Sequence, residues 1–150
     1  MNTIRKTICI FALGAASMMF AVVASAEEWP FVQGDYWEVS GIHLKDGGGL
    51  KYAEWLAGEW RKNQEFAKSK GWIKGYKVIS NVYPRAGEPD LYLVTISDSI
   101  ISGAESEKRQ AEYMAWQKKS LAQMQEESGN RAEYREVMSG SLLQELNFRR

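Results

Sequence analysis

"GWIKGYKVIS", residues 71–80, decides how this chain is read, because a long helical pattern stops there and a strand begins. Gly71 follows Lys68-Ser69-Lys70. Glycine tolerates the left-handed conformation that closes many helices, and cations are favoured at the negative end of the helix dipole. From Trp72 onward the side chains alternate. Trp72, Lys74, Tyr76 and Val78 project to one side, and Ile73, Gly75, Lys77 and Ile79 to the other. A strand with one face in water is apolar on one side and polar on the other. Here each side mixes large apolar groups with lysine or glycine, so neither side reads as simply solvent.

Upstream, residues 50–70 carry a helical period, with Ala53, Leu56, Trp60, Asn63 and Ala67 on one stripe and Tyr52 and Gln64 beside it. Trp55 and Phe66 lie off that stripe, which predicts a contact on a second side of the helix. Before it, residues 36–44 alternate as a strand and stop at Asp46-Gly47-Gly48-Gly49, a strong loop signal. Downstream, the second strand runs to about Tyr83, where Pro84 ends its ladder. Residues 84–90 supply a turn, and residues 91–97 are predicted to pair back as an antiparallel hairpin. Ser102 and Glu105 have capping-box spacing ahead of a second helix that reads to about Ser128, with Tyr113 or Met114, Leu121 and Met124 on its stripe and Trp116 adjacent. A short turn over residues 134–138 precedes a last strand at 141–148.

The order is β-α-β-β-α-β, which predicts an α+β, ferredoxin-like domain: an antiparallel sheet with two helices on one face. That arrangement leaves the other sheet face open. Strands with apolar groups on both sides argue against its exposure, and a two-fold homodimer joined through the sheet face is the expected solution.

These elements are similar to the dimeric α/β-barrel superfamily, which includes NIPSNAP-like, EthD-like and antibiotic-biosynthesis-monooxygenase-like domains. The resemblance rests on "YWEVSGIHLKDGG" (36–48), on the first helix running into "KGWIKGYKV" (70–78), and on "YLVTISDS" (92–99). Where the first turn of that family often has proline before glycine, this chain has Asp46-Gly47. The resemblance implies a dimeric barrel that binds a small apolar or aromatic molecule, with a cofactor-independent oxygenase or isomerase, or a haem-using enzyme, as the alternative.

Residues 1–26 read as a secretory signal: Arg5 and Lys6, an apolar stretch from Ile8 to Val23, then Ala24-Ser25-Ala26. The apolar run falls short of the roughly 20 residues a membrane-spanning helix needs. The expected product is a single domain, residues 27–150, periplasmic or secreted and without stable membrane insertion. Cys9 is the only cysteine. A chain cleaved after Ala26 has no thiol, which excludes thiol catalysis, disulfides and thiolate metal sites. Lysine plus arginine total 19, as do aspartate plus glutamate, and no charge block suggests a nucleic-acid footprint. All six tryptophans and seven tyrosines lie beyond residue 26, a content suited to pockets and interfaces.

The first strand places Tyr36, Glu38, Ser40 and Ile42 on one side and Trp37, Val39, Gly41 and His43 on the other. If the first set faces the barrel, Glu38 is a half-buried carboxylate among aromatics and a candidate proton acceptor or donor. The alternative is a cross-strand pair with Lys74 or Lys77. His43, the sole histidine, reads as a general base, as a ligand of iron or haem, or as a partly exposed residue at a strand end. The other carboxylates show no ligand spacing, so no protein metal site is predicted. No Gly-x-Ser-x-Gly is present, and Gly47-Gly48-Gly49 lacks the Lys-Ser/Thr that completes a phosphate-binding loop. The expected pocket wall is Tyr36, Glu38, Ser40, Trp72 and Tyr76: aromatics with one carboxylate and one aliphatic hydroxyl. Gly75 is expected either to admit a close neighbour or to mark a bulge.

Overall fold

The computed structural model of the protein describes residues 28–150, and the expected export segment lies outside the described residues. Strand β1 (Phe31–Leu44) leads to helix α1 (Gly49–Trp55), which continues through a π-helical turn (Leu56–Trp60) into α2 (Arg61–Ser69). Strands β2 (Gly75–Ser80) and β3 (Leu91–Ser97) follow, then helices α3 (Gly103–Gln117) and α4 (Leu121–Asn130), a short 3-10 turn (Arg131–Glu133) and strand β4 (Arg135–Phe148). The strands form one antiparallel sheet in the order β2-β3-β1-β4. The protein is thus α+β, and this order is compatible with the ferredoxin-like arrangement expected from the sequence.

Local chemistry explains most boundaries. Gly71 has φ +68°; its N–H donates to Lys68 O at 3.0 Å and the Trp72 N–H donates to Ala67 O at 2.9 Å. That pair of bonds satisfies the last carbonyls of α2. The ladder of β2 then starts at Gly75 rather than at Trp72. At the other end of the helix, Gly48 is a steric requirement. A Cβ there would stand 2.3 Å from Tyr134 O and 3.0 Å from Lys45 O. Gly48→Ala should therefore cost about 2–3 kcal/mol, as overpacking does, read as a lower urea midpoint; an unchanged midpoint would show that the Tyr134 backbone moves freely.

The second predicted helix is two. Lys118 adopts a left-handed conformation at φ 54°, and α4 restarts behind a full capping box. In it the Gln123 N–H donates to Ser120 Oγ at 3.2 Å, and the Ser120 N–H donates to Gln123 Oε1 at 2.8 Å. Lysine in that conformation is strained, so Lys118→Gly should stabilise the protein by about 0.5–1 kcal/mol. Chemical denaturation checks this, and a lower midpoint in the variant would contradict it.

Strands β1 and β4 are longer than their sequence patterns, because bulges between Gln33 and Tyr36 and between Gly41 and Ile42 interrupt the alternation without ending the pairing. Ser139-Gly140-Ser141, which reads as a turn, runs through the ladder with Gly140 opposite Ser40. The core is a cluster of Ile42, Tyr52, Leu56 and Trp60, with Tyr76, Leu91 and Leu93 packed against it. Cross-strand register assigns the faces. Glu38 lies opposite Thr95 and Leu142, and Thr95 lies opposite Tyr76. Tyr36, Glu38 and Ser40 therefore share the face of Ile42, which carries the helices.

The open face holds Trp37, Val39, Gly41 and His43 of β1, with Tyr92, Val94 and Ile96 of β3 beside them. Val94 is buried there, and the Lys77 ammonium sits 4.8 Å above the Trp37 ring. Close approach on this face occurs at Gly41, where a Cβ would lie 2.6 Å from the Pro89 ring; beside Gly75 there is open space. Large apolar side chains remain uncovered there, Ile79 and Leu143 among them; Leu142 is exposed too, but on the helix face opposite Glu38.

Candidate functional site

Phe66, one of the two off-stripe aromatics of the first helix, decides where α3 lies. Phe66 stacks on Trp116 at 4.1 Å and meets Trp72 edge-on at 5.4 Å. Gln117 Nε2 donates to Asn63 Oδ1 at 2.6 Å and to the Tyr113 hydroxyl at 3.0 Å. Helix α3 is thereby held against α2, and two adjoining clefts open beside it.

The first cleft, about 310 Å³, lies against the helix face of the sheet and is lined by Glu38, Trp72, Thr95, Ile101, Arg109 and Leu142. The second, about 540 Å³, is lined by Trp55, Trp60, Asn63, Gln64, Tyr113 and Arg131. Trp72, Ile101 and Arg109 belong to both walls. Arg109 is a strut between them. Its Nε donates to Glu105 Oε1 at 2.7 Å, one terminal nitrogen donates to Trp72 O at 3.3 Å, and its guanidinium lies 5.7 Å from the Trp72 ring. The bond from Arg109 holds the Glu105 carboxyl below the usual carboxylate range. Burial pushes the Tyr113 phenol above its ordinary value, which keeps it neutral and able to donate a hydrogen bond.

The expected pocket residues are only partly gathered. Glu38 and Trp72 line the first cleft together. Tyr36 and Ser40 share the sheet face of Glu38, but neither lines the two clefts. Tyr76 borders a separate apolar hollow with Leu56, Trp60 and Val78, and its hydroxyl donates to the Glu65 carboxylate. That bond raises the Tyr76 phenol. The side differs from the expectation of a barrel wall on the face away from the helices. Alternation defines two faces without signing them, and Ile42 takes this set to the helices. Glu38 is exposed rather than half-buried, and neither expected lysine reaches it. Lys74 pairs with Asp35 at 2.7 Å, and Lys77 covers Trp37.

His43 stands exposed on the open face with a partner that its sequence context did not suggest. Its Nδ1 lies 2.8 Å from Asp90 Oδ2, an oxygen that also accepts the Leu44 N–H at 2.7 Å. A carboxylate only accepts, so the bond fixes the proton on Nδ1 and leaves Nε2 outward. Asp90 reads in the sequence as the end of a turn; the β2–β3 hairpin brings it beside the end of β1. His43 and the two clefts lie on opposite sides of the sheet, so a haem in either cleft would lack it as an axial ligand. No group of three or more histidine, cysteine, aspartate or glutamate side chains among the described residues is placed to hold a metal ion.

Trp55, Asn63, Tyr113 and Arg131 were not singled out as site residues. Only the off-stripe position of Trp55 hinted at a second surface, and there its ring lies under the Arg131 guanidinium at 4.4 Å. Compared with models of protein families, with curated proteins and with solved structures, the chain matches none.

Proposed function

We propose that this chain is an exported protein of ferredoxin-like topology, akin to dimeric α/β barrels, that works as a homodimer and binds a small apolar or aromatic molecule in the clefts beside α3. One observation carries the reading: two joined cavities of about 310 and 540 Å³ walled by Trp55, Trp60, Trp72 and Tyr113. Their size, and walls that set four aromatic rings and several aliphatic groups among polar side chains, suit a small-molecule site. The dimer is supported by large apolar side chains left exposed on the open face, Ile79 and Leu143 among them. Export rests on the residue pattern of 1–26, and no helix among the described residues is long and apolar enough to cross a membrane.

Native mass spectrometry of protein purified from its own host tests all three parts. The expected result is a dimer of chains beginning at Glu27, with a non-covalent adduct of a few hundred daltons or less. A monomer that never carries an adduct would remove the proposal.

Catalysis is the second reading, and the His43–Asp90 pair favours it. A carboxylate-oriented imidazole on the open face would offer a proton acceptor to whatever the second copy brings to it. His43→Gln should then abolish turnover while leaving the adduct in place; loss of neither would dismiss the histidine.

A further inference from the structure

The larger cleft is charge-sorted. Of the two clefts, the smaller contains Glu38, whereas the larger has two guanidinium groups on its wall and no carboxylate. Arg109 is already committed to Glu105. Arg131 is not. One of its terminal nitrogens donates to the Glu127 backbone carbonyl at 3.0 Å, and its Nε is buried without a hydrogen-bond partner among the described residues. The carboxylates nearest along the chain are taken by lysines: Glu127 by Lys119 at 2.6 Å and Glu133 by Lys51 at 2.8 Å. Lying over the Trp55 indole at 4.4 Å, the guanidinium is partly stripped of water.

A cation desolvated in this way is costly unless an anion meets it. From these facts, and resting on the ligand-binding reading above, we infer that the natural ligand is an aromatic monocarboxylate, its ring between the indoles of the larger cleft and its carboxylate on Arg131. A single guanidinium with no salt bridge among the described residues matches one carboxylate, which it can hold through two parallel N–H donors. A dianionic phosphate would call for more than one uncommitted cation. Burial depresses the Arg131 pKa, with Arg135 adding to the effect, yet arginine stays charged. The Glu38 end of the paired clefts would repel the carboxylate, so the ligand has one orientation.

The test uses 2-naphthoate and its neutral isostere 2-naphthamide as probes, titrated calorimetrically into the intact protein. The wild type should bind the carboxylate about tenfold to a hundredfold more tightly than the amide, the value of one charge-assisted pair. Arg131→Gln should bring the ratio of the two affinities to within about twofold, whatever it does to both affinities together. Equal wild-type affinity for the two probes would overturn the carboxylate assignment and leave the ligand-binding reading standing. Failure of both probes to bind would overturn both. The wild-type ratio decides even if the variant proves unstable.

Discussion

Trp60→Ala should destabilise the protein by about 3–5 kcal/mol, the range for emptying a buried tryptophan site. Trp60 is 8% exposed and meets Tyr76 edge-on at 5.3 Å. It completes the cluster of Ile42, Tyr52 and Leu56, and its outer edge lines the larger cleft. Only five apolar side chains are buried among the described residues, so few neighbours exist to close the cavity. A loss of that size consumes much of the 5–15 kcal/mol typical of a folded domain. Urea denaturation at fixed protein concentration measures it, since a dimer's stability depends on concentration. Tyr83→Ala supplies the comparison: Tyr83 is 88% exposed, and its loss should change stability by no more than about 0.5 kcal/mol. A Trp60→Ala protein within about 1 kcal/mol of wild type would mean that the cluster is not the core.

The double variant Ile79→Asp, Leu143→Asp should be monomeric where the wild type sediments as a dimer. Both side chains lie on the open sheet face, Ile79 through its pairing opposite Tyr92 and Leu143 opposite Trp37, and they are 42% and 53% exposed. Neither belongs to the core cluster, so the chain should still fold. Placing a carboxylate against a desolvated apolar partner costs about 2 kcal/mol or more per position, on the scale of interface hot spots. Two positions should weaken association on the order of a thousandfold. Val78 and Tyr76 are the wrong positions for this test, because both point to the helix face. Sedimentation velocity at micromolar concentration reads the result, and a wild type that is itself monomeric would end the dimer proposal.

What can be read from this sequence follows from how far each signal reaches. The Gly71 cap, the Ser102 cap, the Tyr52–Leu56–Trp60 side of the first helix and the 84–90 turn are all encoded within a few residues. Each expresses a backbone preference or a period that no distant contact has to supply. The break at Lys118 was equally local. Ser120 and Gln123 stand in capping-box spacing, but the apolar period on either side of Lys118 hides it. Bulges hid the true lengths of β1 and β4 in a different way, since each resets the alternation that marks a strand.

The sequence by itself therefore determined the order of the strands and of the first helix, the hairpin, the Gly71 and Ser102 caps and the two alternating sets of side chains on β1. Only the tertiary structure decided which set meets the helices, that Asp90 orients His43, and that Phe66 pulls α3 onto α2 so that Trp55, Tyr113 and Arg131 wall a cleft. Helix and turn preferences act between neighbours in the chain, whereas a strand's alternation is symmetric between its faces. That symmetry is broken by side chains arriving from elsewhere: here Tyr52, Leu56 and Trp60 settling on Ile42.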